Sequence, residues 1–330
     1  MQIVPLQTAH LDEAARLFVA RYRQERAVAP ALPARHEDPS GVLPLLDRLL
    51  GKAPGVAALA DGRLCGYLSG FPIANFKGTQ RGVFSPVWAH AAVGDDRVAV
   101  YRYMYEHLSR QWVAAGCLTH AISLYAQDAE AADIWFRNCF GLLVVDALRP
   151  LAPVAGVPPA GVEIRQATAA DVDLILPLVE GLGRYLADGP IFLALLEMPT
   201  RPEYTEWLAE PAHTLWLALH DGEAIAYIRA QPPTCDVAYV VGDPQTISIT
   251  GAYTRPEWRG RGVATALLGR VVDWARENGY ARCAVDFEAQ NIWGSRFWLS
   301  HFQPTCHSLM RHVDERITWA HAARPAADAW

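Results

Sequence analysis

The clearest hydrophobic period of the chain lies towards its C-terminal end. Residues 247–254, ISITGAYT, mix β-branched and aromatic positions and predict a strand. A short turn containing Pro256 follows, then the run Arg259-Gly260-Arg261-Gly262-Val263-Ala264. Beyond it Ala264, Leu267, Leu268, Val271, Val272 and Ala275 recur at helical spacing and predict one buried helix face. Gly279 stands where that helix would stop. Residues 281–287 read as the next strand.

The same order of elements occurs earlier in the chain. Ile3, Ala9, Leu11, Asp12 and Leu17 align with Ile164, Ala170, Val172, Asp173 and Leu178. Asp61-Gly62 and Tyr67 align with Asp221-Gly222 and Tyr227, and each Asp-Gly pair lies between two apolar runs, which predicts a β-hairpin turn. Asp128 and Trp135 align with Asn291 and Trp298. A nearly constant offset across three anchors implies two copies of one domain. Between them residues 150–160 are proline-rich and lack any period, as a linker would. After the linker residues 162–166 start a strand, and Thr168 with Asp171 resembles a capping pair for a helix from Ala169. The expected division is 1–149, a linker 150–160, 161–320 and a fraying tail 321–330. Each copy reads strand, one or two helices, several strands, helix, strand, helix, strands. That order predicts an α/β (α+β) fold, a mixed and mostly antiparallel sheet flanked by helices.

Composition narrows the function. A 330-residue chain with 52% hydrophobic and 19% charged residues can build two cores. Its net charge of −6 argues against general nucleic-acid binding. The opening MQIVPLQTAHLDEA lacks a charged leader and an apolar segment, so no signal peptide is expected, and no run reaches membrane-spanning length. The six cysteines, including Cys139 and Cys235, form no CxxC pair, and the histidines show no ligand spacing. Reduced thiols, a cytoplasmic location and no metal are expected.

Strand, glycine turn and helix start make an anion site. The first helical turn has N–H groups without intrahelical partners, the macrodipole adds positive potential, and Gly260 and Gly262 leave the backbone open. Arg259 and Arg261 add charge. No Gly-Lys-Ser/Thr is present for a P-loop. The dinucleotide pattern fails at Thr265, and too little chain follows for that fold, although Asp286 stands at a ribose-like spacing. Arg259-x-x-Gly262-x-Ala264 closely resembles the pyrophosphate loop of the GNAT superfamily of N-acetyltransferases. Downstream, Asn291, Gly294, Phe297 and Phe302 fall in register with the pattern that family carries after the next strand.

The resemblance implies two GNAT-like domains. It implies acetyl-CoA as co-substrate, held by Ala252, Tyr253, Thr254, Arg259, Gly260, Arg261, Gly262, Val263, Ala264, Thr265, Asn291 and Trp298. It implies direct attack by a primary amine of a small molecule or peptide, in a monomer or homodimer. Asn291 would bond the pantetheine arm, and a backbone N–H near 252–254 would polarise the thioester where two strands splay, with Gly251 marking a bulge or a packing site. The family's usual acid, a Tyr, is Trp298 here, and indole is no practical acid. The Trp298 substitution reads as lost acid catalysis, as a packing wall, or as a copy that only binds CoA. Proton carriers are sought in Tyr253, His301 and Asp243, the last alternatively a turn former. The rival to an enzyme is a CoA-binding sensor without turnover. In the first copy Gly94-Asp95-Asp96-Arg97 replaces the loop, and carboxylates would repel a pyrophosphate. That copy is therefore expected not to bind CoA. Tyr185, Phe192, Tyr204 and Trp207 point to an apolar part on the acceptor, or to an interface between copies.

Overall fold

A computed structural model describes residues 1–77, 80–94, 96–194, 197–234 and 238–317. Asp95, Cys235 and the expected tail lie outside them. The strands and helices in chain order are β1 (Gln2–Pro5), α1 (Leu11–Val28), α2 (Leu43–Leu50), β2 (Gly55–Ala60), β3 (Arg63–Ser69), β4 (Phe71–Ile73), β5 (Gly82–Ser85), β6 (His90–Ala92), α3 (Arg97–Ala114), β7 (Thr119–Tyr125), α4 (Ala129–Arg137) and β8 (Gly141–Pro150). They continue as β9 (Val162–Gln166), α5 (Val172–Ala187), α6 (Arg201–Ala209), β10 (Thr214–His220), β11 (Glu223–Gln231), β12 (Thr246–Thr254), α7 (Val263–Glu277), β13 (Arg282–Glu288), α8 (Ile292–His301) and β14 (Gln303–His312). Contacts sort the chain into two compact units. One holds Met1–Val145, Ala238–Val240 and Pro304–Trp330; the other holds Asp146–Val237 and Val241–Gln303. The sequence places 304–320 with the second half, whereas residues 304–317 cluster with the first. Both units mix sheet and helix in the α/β order expected, with helices packed on their sheets. No described helix is long and apolar enough to cross a membrane.

In the first unit β1, β2, β3 and β6 form an antiparallel sheet. β4 pairs with β5, β5 runs parallel to β7, and β7 takes β14 antiparallel from Thr119↔His312 to Tyr125↔Cys306. The core under α3 and α4 gathers Met104, Leu108, Trp112 and Trp135.

In the second unit β9, β10, β11 and β12 are antiparallel neighbours, and β13 runs parallel to β12. One sheet face packs Leu215, Leu217 and Tyr227 against Val172, Ile175 and Leu178 of α5 and Tyr204 of α6. α7 packs on β10 and β11, burying Val263, Ala266, Leu267, Leu268, Val271, Val272 and Ala275. Ala264, expected on that face, is only half-buried. The helix ends as Gly279 predicts. Its φ is +81°, and Tyr280 N–H bonds back to Ala275 O while Gly279 N–H reaches Arg276 O, the paired bonds of a left-handed stop.

The two hairpin turns also form as expected. Asp61 and Gly62 have φ of 49° and 75°, Asp221 and Gly222 of 51° and 82°, the positive pairs that a two-residue turn needs. Thr168 and Asp171 make a reciprocal capping box ahead of α5, with Arg165 on both Asp171 oxygens at 2.8 and 2.6 Å. Residues 151–159 carry no helix or strand. Gly156 lies so close to α7 that a β-carbon would sit 2.8 Å from Thr265 O and Ala266 N.

Candidate functional site

The β12–β13 ladder runs from Thr246↔Arg282 to Ile249↔Val285, yet β12 continues to Thr254 and β13 to Glu288. At the point of parting β12 carries an extra residue. Arg229 of β11 faces Gly251 and Ala230 faces Ile249, so Thr250 bulges between them. The bulge turns residues 252–254 out of the parallel ladder and opens a cavity of about 330 Å³.

Its far wall is the start of α7. Gly262 is the N-cap with φ +84°, and no side chain caps the helix. Gly260 also has positive φ, +72°. Any other residue at these two positions costs roughly 1 kcal/mol or more. The first-turn N–H groups of Val263, Ala264 and Thr265 are left for a ligand. Arg259 lies beside them, half-buried. Its Nε donates to Thr254 O at 3.2 Å, and its guanidinium stands 4.7 Å from the Tyr185 ring, 5.8 Å from Tyr253 and 5.9 Å from Trp293. Among the described residues no carboxylate pairs with it.

Asn291 closes the third side as N-cap of α8. Its Oδ1 accepts from Gly294 N–H at 2.8 Å and from Tyr185 hydroxyl at 2.9 Å. Its amide NH2 therefore remains the group free to donate. Trp298 lines the same wall, buried and edge-on to Phe297 and Phe302.

Of the residues read as coenzyme-binding, all but Arg261 line this one cavity. Arg261 turns outward and lies over the Trp258 ring at 5.1 Å. Of the proton carriers only Tyr253 lines it. Its ring lies under α5, where a β-carbon on Gly181 would come within 2.9 Å of its Cζ. Asp243 sits elsewhere, paired with Arg282 at 2.5 Å and bonded by Thr246 hydroxyl and Gln245 N–H, which is the turn-forming alternative. His301 is also off the cavity, edge-on to Phe297, with burial and then Arg149 holding its ring below the usual histidine range. Among the described residues the lining contains no carboxylate and no histidine. The sequence reading missed Leu182, Ile228, Trp258 and Trp293 as lining residues. Trp293, half exposed, was the available signal, since it directly follows the helix-capping Asn291 by two positions.

The corner of the first unit at Asp128, the residue that the sequence alignment sets against Asn291, is closed. Asp128 caps α4 through Ala131 N–H at 3.1 Å, as Asn291 caps α8. Its carboxylate is held by Arg97 at 2.5 Å and Arg21 at 3.1 Å, with Glu130 and Glu25 completing the network. Burial pushes the Asp128 carboxyl up, but the bonds from Arg97 and Ala131 N–H, with Arg21 nearby, hold it below the usual carboxylate range. Asp96 caps α3 by accepting from Ala99 N–H at 3.0 Å, where α7 is uncapped. The space left is about 20 Å³, room for a water.

Comparison with known proteins fits this geometry. The acetyltransferase (GNAT) family matches residues 185–301. The aminoglycoside N(6′)-acetyltransferase type 1 of Stenotrophomonas maltophilia is 31% identical over 130 residues, 39% of this chain and 77% of that protein. Among solved structures, a GCN5-related N-acetyltransferase from Sphaerobacter thermophilus superposes with a TM-score of 0.56 at 16% identity, covering 99% of this chain and 97% of its own. A GCN5-related glucosamine N-acetyltransferase region of a fungal multi-domain GH3 β-N-acetylglucosaminidase gives 0.53 at 11% identity, covering 94% of this chain and 38% of that one.

Proposed function

Given that this chain belongs to the acetyltransferase (GNAT) family and is an N-acetyltransferase, we propose that its second unit moves an acetyl group from acetyl-CoA to a primary amine of a small molecule. The observation that carries this reading is the uncapped start of α7, with two positive-φ glycines, opening into a cavity that reaches the strand splay and Asn291. A diphosphate satisfies the stranded N–H groups of 263–265 and brings negative charge to the dipole end. Arg259, free of carboxylates, adds a cation. The Asn291 amide donates to the pantetheine arm. The thioester then reaches the splay, where a backbone N–H among 252–254 polarises its carbonyl.

The amine nitrogen bonds to the acetyl carbon as the carbon–sulfur bond breaks. Sulfur takes the bonding pair and leaves as thiolate. The amine sheds its protons to water, since no lining residue is a base. Tyr253 supplies the proton to the thiolate, the function that Trp298 cannot perform. Positioning by the cavity walls carries much of the rate. The first unit is a second copy of the same domain that has lost the coenzyme site.

Thiol release from acetyl-CoA tests this against a panel of aminoglycosides, polyamines, amino acids and short peptides. Release with at least one amine, and CoA binding by calorimetry, are expected. Thermal stabilisation by NADH and none by CoA would sink the reading. Tyr253→Phe should lower kcat about tenfold or more with CoA affinity intact.

A further inference from the structure

The bulge that opens the cavity leaves a second feature without use in the chemistry above. Gly251 sits beneath the Arg229 side chain, and a β-carbon there would lie 2.8 Å from Arg229 Nε and 3.3 Å from its Cγ and Cδ. Arg229 thus lies flat across β12, donating from Nε and Nη2 to Thr250 O at 3.3 and 3.2 Å. Its guanidinium stands 5.5 Å from the Trp207 ring and 5.9 Å from the Tyr204 ring, cation against aromatic face. It is half-buried, and among the described residues no carboxylate pairs with it.

Two buried hydroxyls lie on the same side of the sheet. Tyr204, 2% exposed, turns its hydroxyl towards the Arg229 guanidinium but finds no acceptor for its own proton, and Ser248 Oγ, 0% exposed, has no partner. Ser248 pairs with Gln231, which alternates with Arg229, so Ser248 and Arg229 belong to one sheet face. Trp207 confirms that face by donating its Nε1 to Gln231 Oε1 at 2.6 Å. Native proteins rarely bury polar atoms without partners. Here two hydroxyls lack an acceptor, and the guanidinium, whose Nε and Nη2 share Thr250 O, has no anionic one. A carboxylate answers all three, with two oxygens and charge opposite to the unpaired cation. The place adjoins the reaction centre. Gly251 precedes Ala252, and Tyr227, which lines the cavity, lies two residues before Arg229 on the same face.

We propose that Arg229, with the Tyr204 and Ser248 hydroxyls, binds the carboxylate of the acceptor, so that the amine acetylated belongs to an amino acid or a similar carboxylate-bearing molecule. This rests on acetyl transfer at the neighbouring cavity. A polycationic acceptor would meet an uncompensated positive charge here, so the aminoglycoside activity in the relative's name does not carry over. Gly251 is glycine because the guanidinium stem occupies the place of its side chain.

The test uses matched pairs, amino acids and the amines left when their carboxylate is removed, with an aminoglycoside as contrast. Thiol release gives kcat/KM, and thermal stabilisation of the CoA-loaded and CoA-free protein gives binding without turnover. The wild type should favour the carboxylate-bearing member at least about tenfold. Arg229→Gln should bring that ratio close to one through KM, leaving CoA affinity and kcat for the decarboxylated amine unchanged. Gly251→Ala, which keeps the charge but displaces it, should lower the ratio likewise, and Arg229→Lys should keep part of it. A wild-type ratio of one, or a ratio that survives Arg229→Gln, overturns the proposal. Loss of both members to the same degree in Arg229→Gln also overturns it, by showing a structural function only. Failure of the acetyl-CoA reading is visible separately, as wild-type protein that CoA does not stabilise, while the stabilisation ratio of the amine pairs still decides about Arg229.

Discussion

Asn291 and Asp128 do the same local work and leave opposite surroundings. Each caps the helix after a central strand through the N–H three residues on. Around Asn291 the space opens to about 330 Å³, and around Asp128 it closes to about 20 Å³. A neutral amide keeps two donors for a ligand. A carboxylate must be neutralised from within, and Arg97 and Arg21 come in to do it, filling the corner. The second contrast is at the preceding helix. Asp96 satisfies the start of α3, while Gly262 leaves the start of α7 unsatisfied. One side-chain type at each of two caps thus separates an open cavity from a packed core.

The strongest way to break this contrast is to fill the open corner. Gly262→Asp forces a side chain onto a left-handed backbone and sets a carboxylate against the phosphates. CoA affinity should fall at least about 100-fold by calorimetry. Exchanging the caps sharpens the contrast. Asp128→Asn keeps a cap but strands Arg97 and Arg21, and should cost about 3 kcal/mol in chemical denaturation. Asn291→Asp should leave stability nearly unchanged and weaken CoA about tenfold.

Acid should separate the units as well. Burial holds His90 and His120, both in the first unit, down to about 4, against an ordinary 6.5. Their neutral rings contribute stability fully above pH 6.5, and it is lost as pH falls from there towards 4. In the second unit the Arg165 hydrogen bonds hold Asp171 at about 2, against 3.8. That contribution is present above 3.8 and lost as pH falls through 2. His301 shifts in the same direction as the first unit's histidines but is only half-buried. Segment-resolved hydrogen exchange between pH 7 and 4 should show the first unit losing protection ahead of β9 and α5, and the reverse order would contradict the assignment of these groups. The smallest effect is expected from Asp96→Gly. It should cost about 1 kcal/mol or less for the lost cap and bring no CoA binding to the first unit.

Much of the site was legible because it is local. Turn glycines, a helical apolar period and a capping pair each depend on a few neighbouring residues, so Gly260, Gly262 and the Thr168–Asp171 cap could be read directly, whereas Asn291 came only from the family resemblance. Ala264 was placed on the buried face, yet it lines the cavity while Val263 and Ala266 are buried, a phase the period alone does not set. Tyr204 and Trp207 point, from the sequence, to an apolar part on the acceptor or an interface between copies. The fold adds the Arg229 guanidinium over both rings, and its approach depends on a bulge in a different strand.

By itself the sequence determined the order of strands and helices, the two Asp-Gly turns, the α7 anion loop and the caps. All of these rest on backbone preferences spanning a few residues. Only the tertiary structure decided where β12 and β13 part, which side chains wall the opening, and which unit each final strand clusters with. β8 and β14 stand at the end of similar strand–helix–strand runs, yet β14 pairs with β7 and clusters with the first unit, while residues from Asp146 of β8 cluster with the second. A strand's alternation says which face is buried and nothing about its neighbour, because any extended segment offers the same N–H and C=O ladder.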